Sequence, residues 1–142
     1  MKGYLLVEAE GTRYGLRLQD VQQVMEADDV HPAPSVHAAV LGVISHGHRF
    51  MALVNLAALL QRAPRSAGGG SIVVVVQCGG KPLGLLVDDA LTVERDQPGP
   101  LPEGWELPWA SGVARYEGRL IPILDMDAVA ERLAPAAAGE QA

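Results

Sequence analysis

The sequence predicts an all-β chain built as two small five-stranded barrels related by a pseudo-twofold. Three observations carry that prediction. The chain repeats itself, each repeat is made of short apolar runs broken by glycine turns, and each repeat closes on a short helix. An offset of 69 lays Gly11, Gly15, Leu16, Asp20 and Val24 on Gly80, Gly84, Leu85, Asp89 and Val93. An offset of 70 then lays Gly42-Val43, Arg49, Leu53-Val54 and Arg62 on Gly112-Val113, Arg119, Ile123-Leu124 and Arg132. Glycines, apolar positions and a terminal arginine kept in step over two blocks are not what chance produces, and internal repetition decides the architecture. Each unit is about sixty residues, marginal for an independent domain, so the two must share a core.

The elements of a unit follow in order. Tyr4 to Val7 and Ile72 to Gln77 are apolar or β-branched runs, hence strands. Glu10-Gly11-Thr12 and Gly79-Gly80-Lys81-Pro82 are turns that lead into the return strands Arg13 to Leu18 and Leu83 to Val87. Val21, Val24 and Val30 mark a third, bent strand region, as do Leu91 and Val93. Prolines at 32 and 34, and at 98, 100, 102 and 108, interrupt the crossovers. Strands Phe50 to Val54 and Leu120 to Leu124 precede short helices at Leu56 to Gln61 and Ala128 to Leu133. Asn55, and Asp125 or Asp127, suit the N-caps, since their side chains accept the orphan amide protons of a first turn. The predicted first barrel covers about 3–62 and the second about 72–133, joined by a flexible Gly/Ser linker at 63–71 and followed by a frayed tail at 134–142.

Charge and composition narrow the function. Acidic residues number 17 against 11 Lys and Arg, so the clustered cations that phosphate backbones require are lacking, and nucleic acid is not an expected partner. One cysteine rules out an intramolecular disulfide and is compatible with a cytoplasmic setting. The N-terminus lacks the long apolar stretch of a signal peptide, and the most apolar run, Ile72 to Val76, is too short to span a bilayer. A cytoplasmic protein with no direct membrane insertion is expected.

No catalytic set assembles. His46 and His48 lie two residues apart and could share a strand face towards a metal, but no third ligand accompanies them. An exposed hairpin turn is the commoner reading. Asp88-Asp89 and Asp125 with Asp127 could form a carboxylate pair, yet the latter two precede a helix, where carboxylates complement the dipole. Cys78 reads as a buried small hydrophobe closing a strand. Trp105 and Trp109, on a Pro/Gly-rich crossover, read either as partner anchors or as a lid over the second barrel. The chain reads as a binding module without cofactor or metal.

Tyr14-Gly15-Leu16 through Val21-Gln22-Gln23-Val24, followed by Gly42-Val43-Ile44 and Leu53-Val54-Asn55-Leu56, resembles a CheW-like domain in ungapped spacing. Gly84 to Asp88, Gly112-Val113-Ala114 and Ile123-Leu124-Asp125 are similar to that family's second half. The resemblance spans about residues 3 to 133. It implies paired SH3-like barrels with an apolar junction and a non-enzymatic adaptor role. The implied partners are the regulatory domain of a CheA-type histidine kinase, the cytoplasmic tip of a chemoreceptor and other CheW-like proteins, in a bacterial chemosensory or motility array at the membrane. By resemblance, the partner-facing residues are Val21, Gln23 and Val24, with the nearby turn Ser45, His46, Gly47 and His48.

The departures define an alternative. Gly47 stands where the family pattern has an Arg, and Gln23 where many members carry a Glu that can pair with it. Ala52 and Asn55 replace a Pro and an Asp that Pro122 and Asp125 keep in the second unit. Loss of both charges leaves no unpaired partner behind. The alternative is a divergent CheW-like regulator or structural module that does not bind the kinase.

Overall fold

A computed structural model describes residues 2–28, 30–32, 38–61 and 71–141. The elements run β1 (Tyr4–Ala9), β2 (Thr12–Arg17), β3 (Val21–Glu26), β4 (Val40–His46), β5 (Arg49–Asn55) and α1 (Leu56–Leu60), and then begin again. The second series is β6 (Ile72–Cys78), β7 (Lys81–Val87), β8 (Asp89–Glu94), β9 (Ala110–Tyr116), β10 (Arg119–Leu124) and α2 (Met126–Gln141). These strands form two five-stranded sheets in the SH3-like double-barrel arrangement, ordered β8-β1-β2-β10-β9 and β3-β6-β7-β5-β4. Adding five to each strand number of the first sheet, counted cyclically, reproduces the second. That is the pseudo-twofold the repeat predicts.

The sheets do not follow the expected division at 3–62 and 72–133. Each draws strands from both halves of the chain. β3 leaves β1 and β2 and pairs antiparallel with β6, while β8 crosses back to β1. β2 and β10 run parallel, as do β5 and β7. The physical reason is that β1 and β6 carry the same apolar pattern. A β3-type strand finds an equivalent edge on either, and the sequence pattern alone does not choose between them.

Three hydrophobic clusters follow from this exchange. Ile44, Met51, Leu53, Val73, Val75 and Leu86 fill the interior of one sheet. Tyr4, Leu6, Ala114, Ile121 and Ile123 fill the other. The largest cluster joins residues of both, among them Leu5, Val7 and Leu16 with Val54, Val74 and Leu85, and forms the junction. The repeat's glycines sit where the parallel partner crosses. A Cβ on Gly15 would collide with the Ile123 side chain, and one on Gly84 would lie 3.3 Å from that of Leu53.

The sheet ends are closed by the crossovers. Beyond β3, His31 exchanges two 2.8 Å backbone hydrogen bonds with Val43 of β4. Gly99 makes the equivalent pair with Val113 of β9. The expected caps are present. Asn55 Oδ1 accepts from the Ala58 amide at 3.2 Å, and Asp125 Oδ1 accepts from the Asp127 amide at 2.9 Å. α2 runs through Gln141, past the point where a frayed tail at 134–142 is expected, because alanine-rich chain favours helix. Of the expected linker 63–71, all but Ser71 lies outside the described residues, as do Pro34 and Arg62.

Two hairpin turns carry the same local strain. Glu117-Gly118, at φ 48° and 76°, is a type I′ turn, as is Glu10-Gly11 at 46° and 79°. Asn-Gly is the preferred pair there, because Asn tolerates left-handed backbone better than Glu. Among the described residues Glu117 contributes only an exposed pair with Arg13 at 4.0 Å, worth little. Glu117→Asn is therefore expected to stabilise the chain by about 0.5 kcal/mol and raise Tm by roughly 1–2 °C, as read by thermal denaturation.

Candidate partner interface

β3 is an outer strand of its sheet, and a bulge between Val21 and Gln23 shifts its register on β6. Outer strands leave backbone groups free for a partner unless they are blunted. Val24 pairs with Val74, and Val74 belongs to the junction cluster, so Val24 stands on the junction side at its margin. It is 45% exposed. Val93 of β8 pairs with Leu5, also of the junction cluster, and is likewise 45% exposed. The two repeat-mates thus border the same junction from opposite sheets, and neither is barrel core. Val21 is different, since it is half-buried and packs against the junction cluster. Gln23 is exposed.

Ser45, His46, Gly47 and His48 form the β4–β5 hairpin end, at the outer strand opposite β3. No described hydrogen bond joins this turn to β3 directly. The crossover reaches β4 through the His31–Val43 bridge. Gly47 has φ 64° and nothing within 4 Å of a Cβ, so the family's Arg would find open space there but a strained backbone. His46 is half-buried and His48 exposed. Among the described residues no three His, Cys, Asp or Glu side chains are grouped as a metal site would require.

The aspartates take structural roles. Asp88 Oδ2 accepts from the Glu10 amide at 2.8 Å, and its own amide donates to the Glu8 carbonyl at 2.8 Å, tying two turns together. Asp20 holds the Arg17 guanidinium at 2.8 Å, immediately before β3. Asp89, its repeat-mate, is the first residue of β8. Cys78 is half-buried rather than buried as expected, and that burial still pushes its thiol above its ordinary value, with Asp127 and Asp20 adding to the effect, so near neutrality it is a protonated packing group rather than a nucleophile. The two tryptophans separate. Trp109 is buried edge-on against Tyr14, ring centroids 5.7 Å apart, while Trp105 is 39% exposed.

Two further apolar residues face solvent without having been singled out by the sequence pattern. Phe50 is 63% exposed with His31 edge-on to its ring, and its repeat-mate Leu120 is 40% exposed. Both follow the arginine that opens β5 or β10. Repeat-matched apolar positions directly after a turn were the available signal.

A family model for the CheW-like domain matches residues 3–134. A chemotaxis protein CheW of Rhizobium meliloti is 32% identical over 120 residues, covering 80% of this chain and 77% of that protein. A probable chemotaxis protein CheW of Rhizobium etli is 28% identical over the same length and shares. Among solved structures, the scaffolding protein TtCheW from Thermoanaerobacter tengcongensis superposes with a TM-score of 0.80 at 20% identity, covering 90% of this chain and 91% of that one.

Proposed function

The chain belongs to the CheW-like domain family of chemotaxis scaffold proteins, and on that footing we propose that it is a non-enzymatic adaptor coupling chemoreceptors to a CheA-type histidine kinase. The observation that carries this reading is the apolar margin of the junction, where Val24 and Val93 stand exposed from opposite sheets. A helical hairpin can bury its apolar stripe against such a surface. The hairpin end at Ser45 to His48 is the proposed kinase-facing surface, with Val21, Gln23 and Val24 on the receptor-facing strand. The proposed receptor contact rests on the apolar side chains of Val24 and Val93 and on neither of the two charges that Gly47 and Gln23 replace. Among the described residues no helix is long and apolar enough to cross a membrane, and the proposed array location is reached through the receptor.

A pull-down of the full chain against the kinase regulatory domain and the receptor's cytoplasmic tip tests the reading. Capture of both is expected. Capture of the receptor alone would favour the alternative, a CheW-like module that does not bind the kinase, which the uncharged Gly47 turn supports. Capture of neither would end the coupling proposal.

A further inference from the structure

A groove of about 670 Å³ lies where the β4–β5 and β6–β7 hairpins meet α2. Its floor and walls are Met51, Leu83, Ala130 and Leu133, with the ring of Phe50 at its edge. Two cations, Arg49 and Lys81, stand exposed on its rim. Among the described residues neither forms an ion pair. The chain as a whole carries a net charge of −6, so two cations beside an apolar hollow whose lining holds no carboxylate are a local reversal.

The pseudo-twofold supplies an internal control. The repeat-mated hollow on the other sheet, about 610 Å³, is lined by Glu8, Thr12, Arg13, Glu117, Arg119 and Leu120. Arg119 and Leu120 are the mates of Arg49 and Phe50. There Glu8 and Glu117 stand with Arg13 and Arg119, and Arg13 lies 3.7 Å from Glu8 and 4.0 Å from Glu117, while Arg119, like Arg49, forms no ion pair among the described residues. What differs between the copies is the lining: two carboxylates in the mated hollow and none among the residues lining the groove beside α2.

We propose that the groove beside α2 binds a free medium- or long-chain carboxylate, with its acyl chain along the apolar floor and its carboxylate at the Arg49–Lys81 rim. The volume falls in the range of small-molecule sites, which are mostly apolar with a few orienting polar groups. The cationic rim selects an anionic head over a neutral or cationic one.

Calorimetric titration of the full chain with decanoate, octanoate and decyltrimethylammonium tests the proposal. Saturable one-to-one binding of decanoate is expected. Octanoate should bind about fourfold to fifteenfold more weakly, since each buried methylene is worth up to about 0.8 kcal/mol, or fourfold. Decyltrimethylammonium should not saturate. Lys81→Glu, an exposed change, should weaken decanoate at least about tenfold, and Arg119→Glu in the mated hollow should leave it unchanged. Ala130→Trp should block the groove. If that variant misfolds, Lys81→Glu still decides. Absence of decanoate saturation, equal binding of the cationic amphiphile, or unaltered binding by Lys81→Glu would each overturn the proposal. So would an association seen only with anionic lipid vesicles.

Discussion

Val24→Arg leaves the chain folded and lowers its affinity for the receptor tip by about a hundredfold or more. The fold survives because Val24 is 45% exposed on an outer strand, where substitutions cost little and charge is well tolerated. Binding does not survive, because an apolar hairpin seated over Val24 would leave the guanidinium desolvated and unpaired, at a cost of several kcal/mol. Val93→Arg tests the opposite margin of the same junction. Val21 is a poor probe, since it packs against the junction cluster and a charge there damages the fold as well. Circular dichroism and receptor titration together read the result. Unchanged affinity in a folded Val24→Arg variant would place the receptor surface elsewhere.

Gly42→Ala acts on the fold instead. A Cβ at this position would run into the backbone carbonyl of His31, and φ is 154°, where side chains are rarely accommodated. The obstacle is backbone held by two hydrogen bonds to Val43, so it yields only if the crossover bridge opens. A cost of roughly 3 kcal/mol and a Tm lower by about 10 °C are expected. Gly112→Ala should behave alike, since its Cβ would meet the Gly99 carbonyl. Gly47→Ala is the control, with no atom within 4 Å and only the cost of a positive φ. A Gly42→Ala variant melting within about 2 °C of the parent would show that the crossover moves freely.

Much of the architecture was legible because glycine and apolar positions recur for steric reasons. Gly15 and Gly84 face equivalent parallel crossings, and Gly42 and Gly112 face equivalent returning carbonyls, of His31 and Gly99. Asn55 and Asp125 were legible as caps because their chemistry is local. The exchange of strands was not, because β3 and β8 meet equivalent edges in either pairing. The exposed Phe50 was hidden in the unbroken apolar run Phe50 to Val54, which has no alternation to mark the solvent face. Trp105 and Trp109 share one loop and similar flanks, and only the position of Tyr14, far away in sequence, distinguishes them.

The exchange also governs how the chain reaches its native state. Gly15 must meet Ile123, and Val24 must meet Val74, before either sheet is complete. Such high contact order means that loop-closure entropy is lost before the distant pairings reward it, which slows folding. During synthesis β1 and β2 emerge as a hairpin whose outer partners, β8 and β10, do not yet exist. Their open edges wait for the C-terminal half, and this interval is when the chain is most exposed to misassociation with its neighbours.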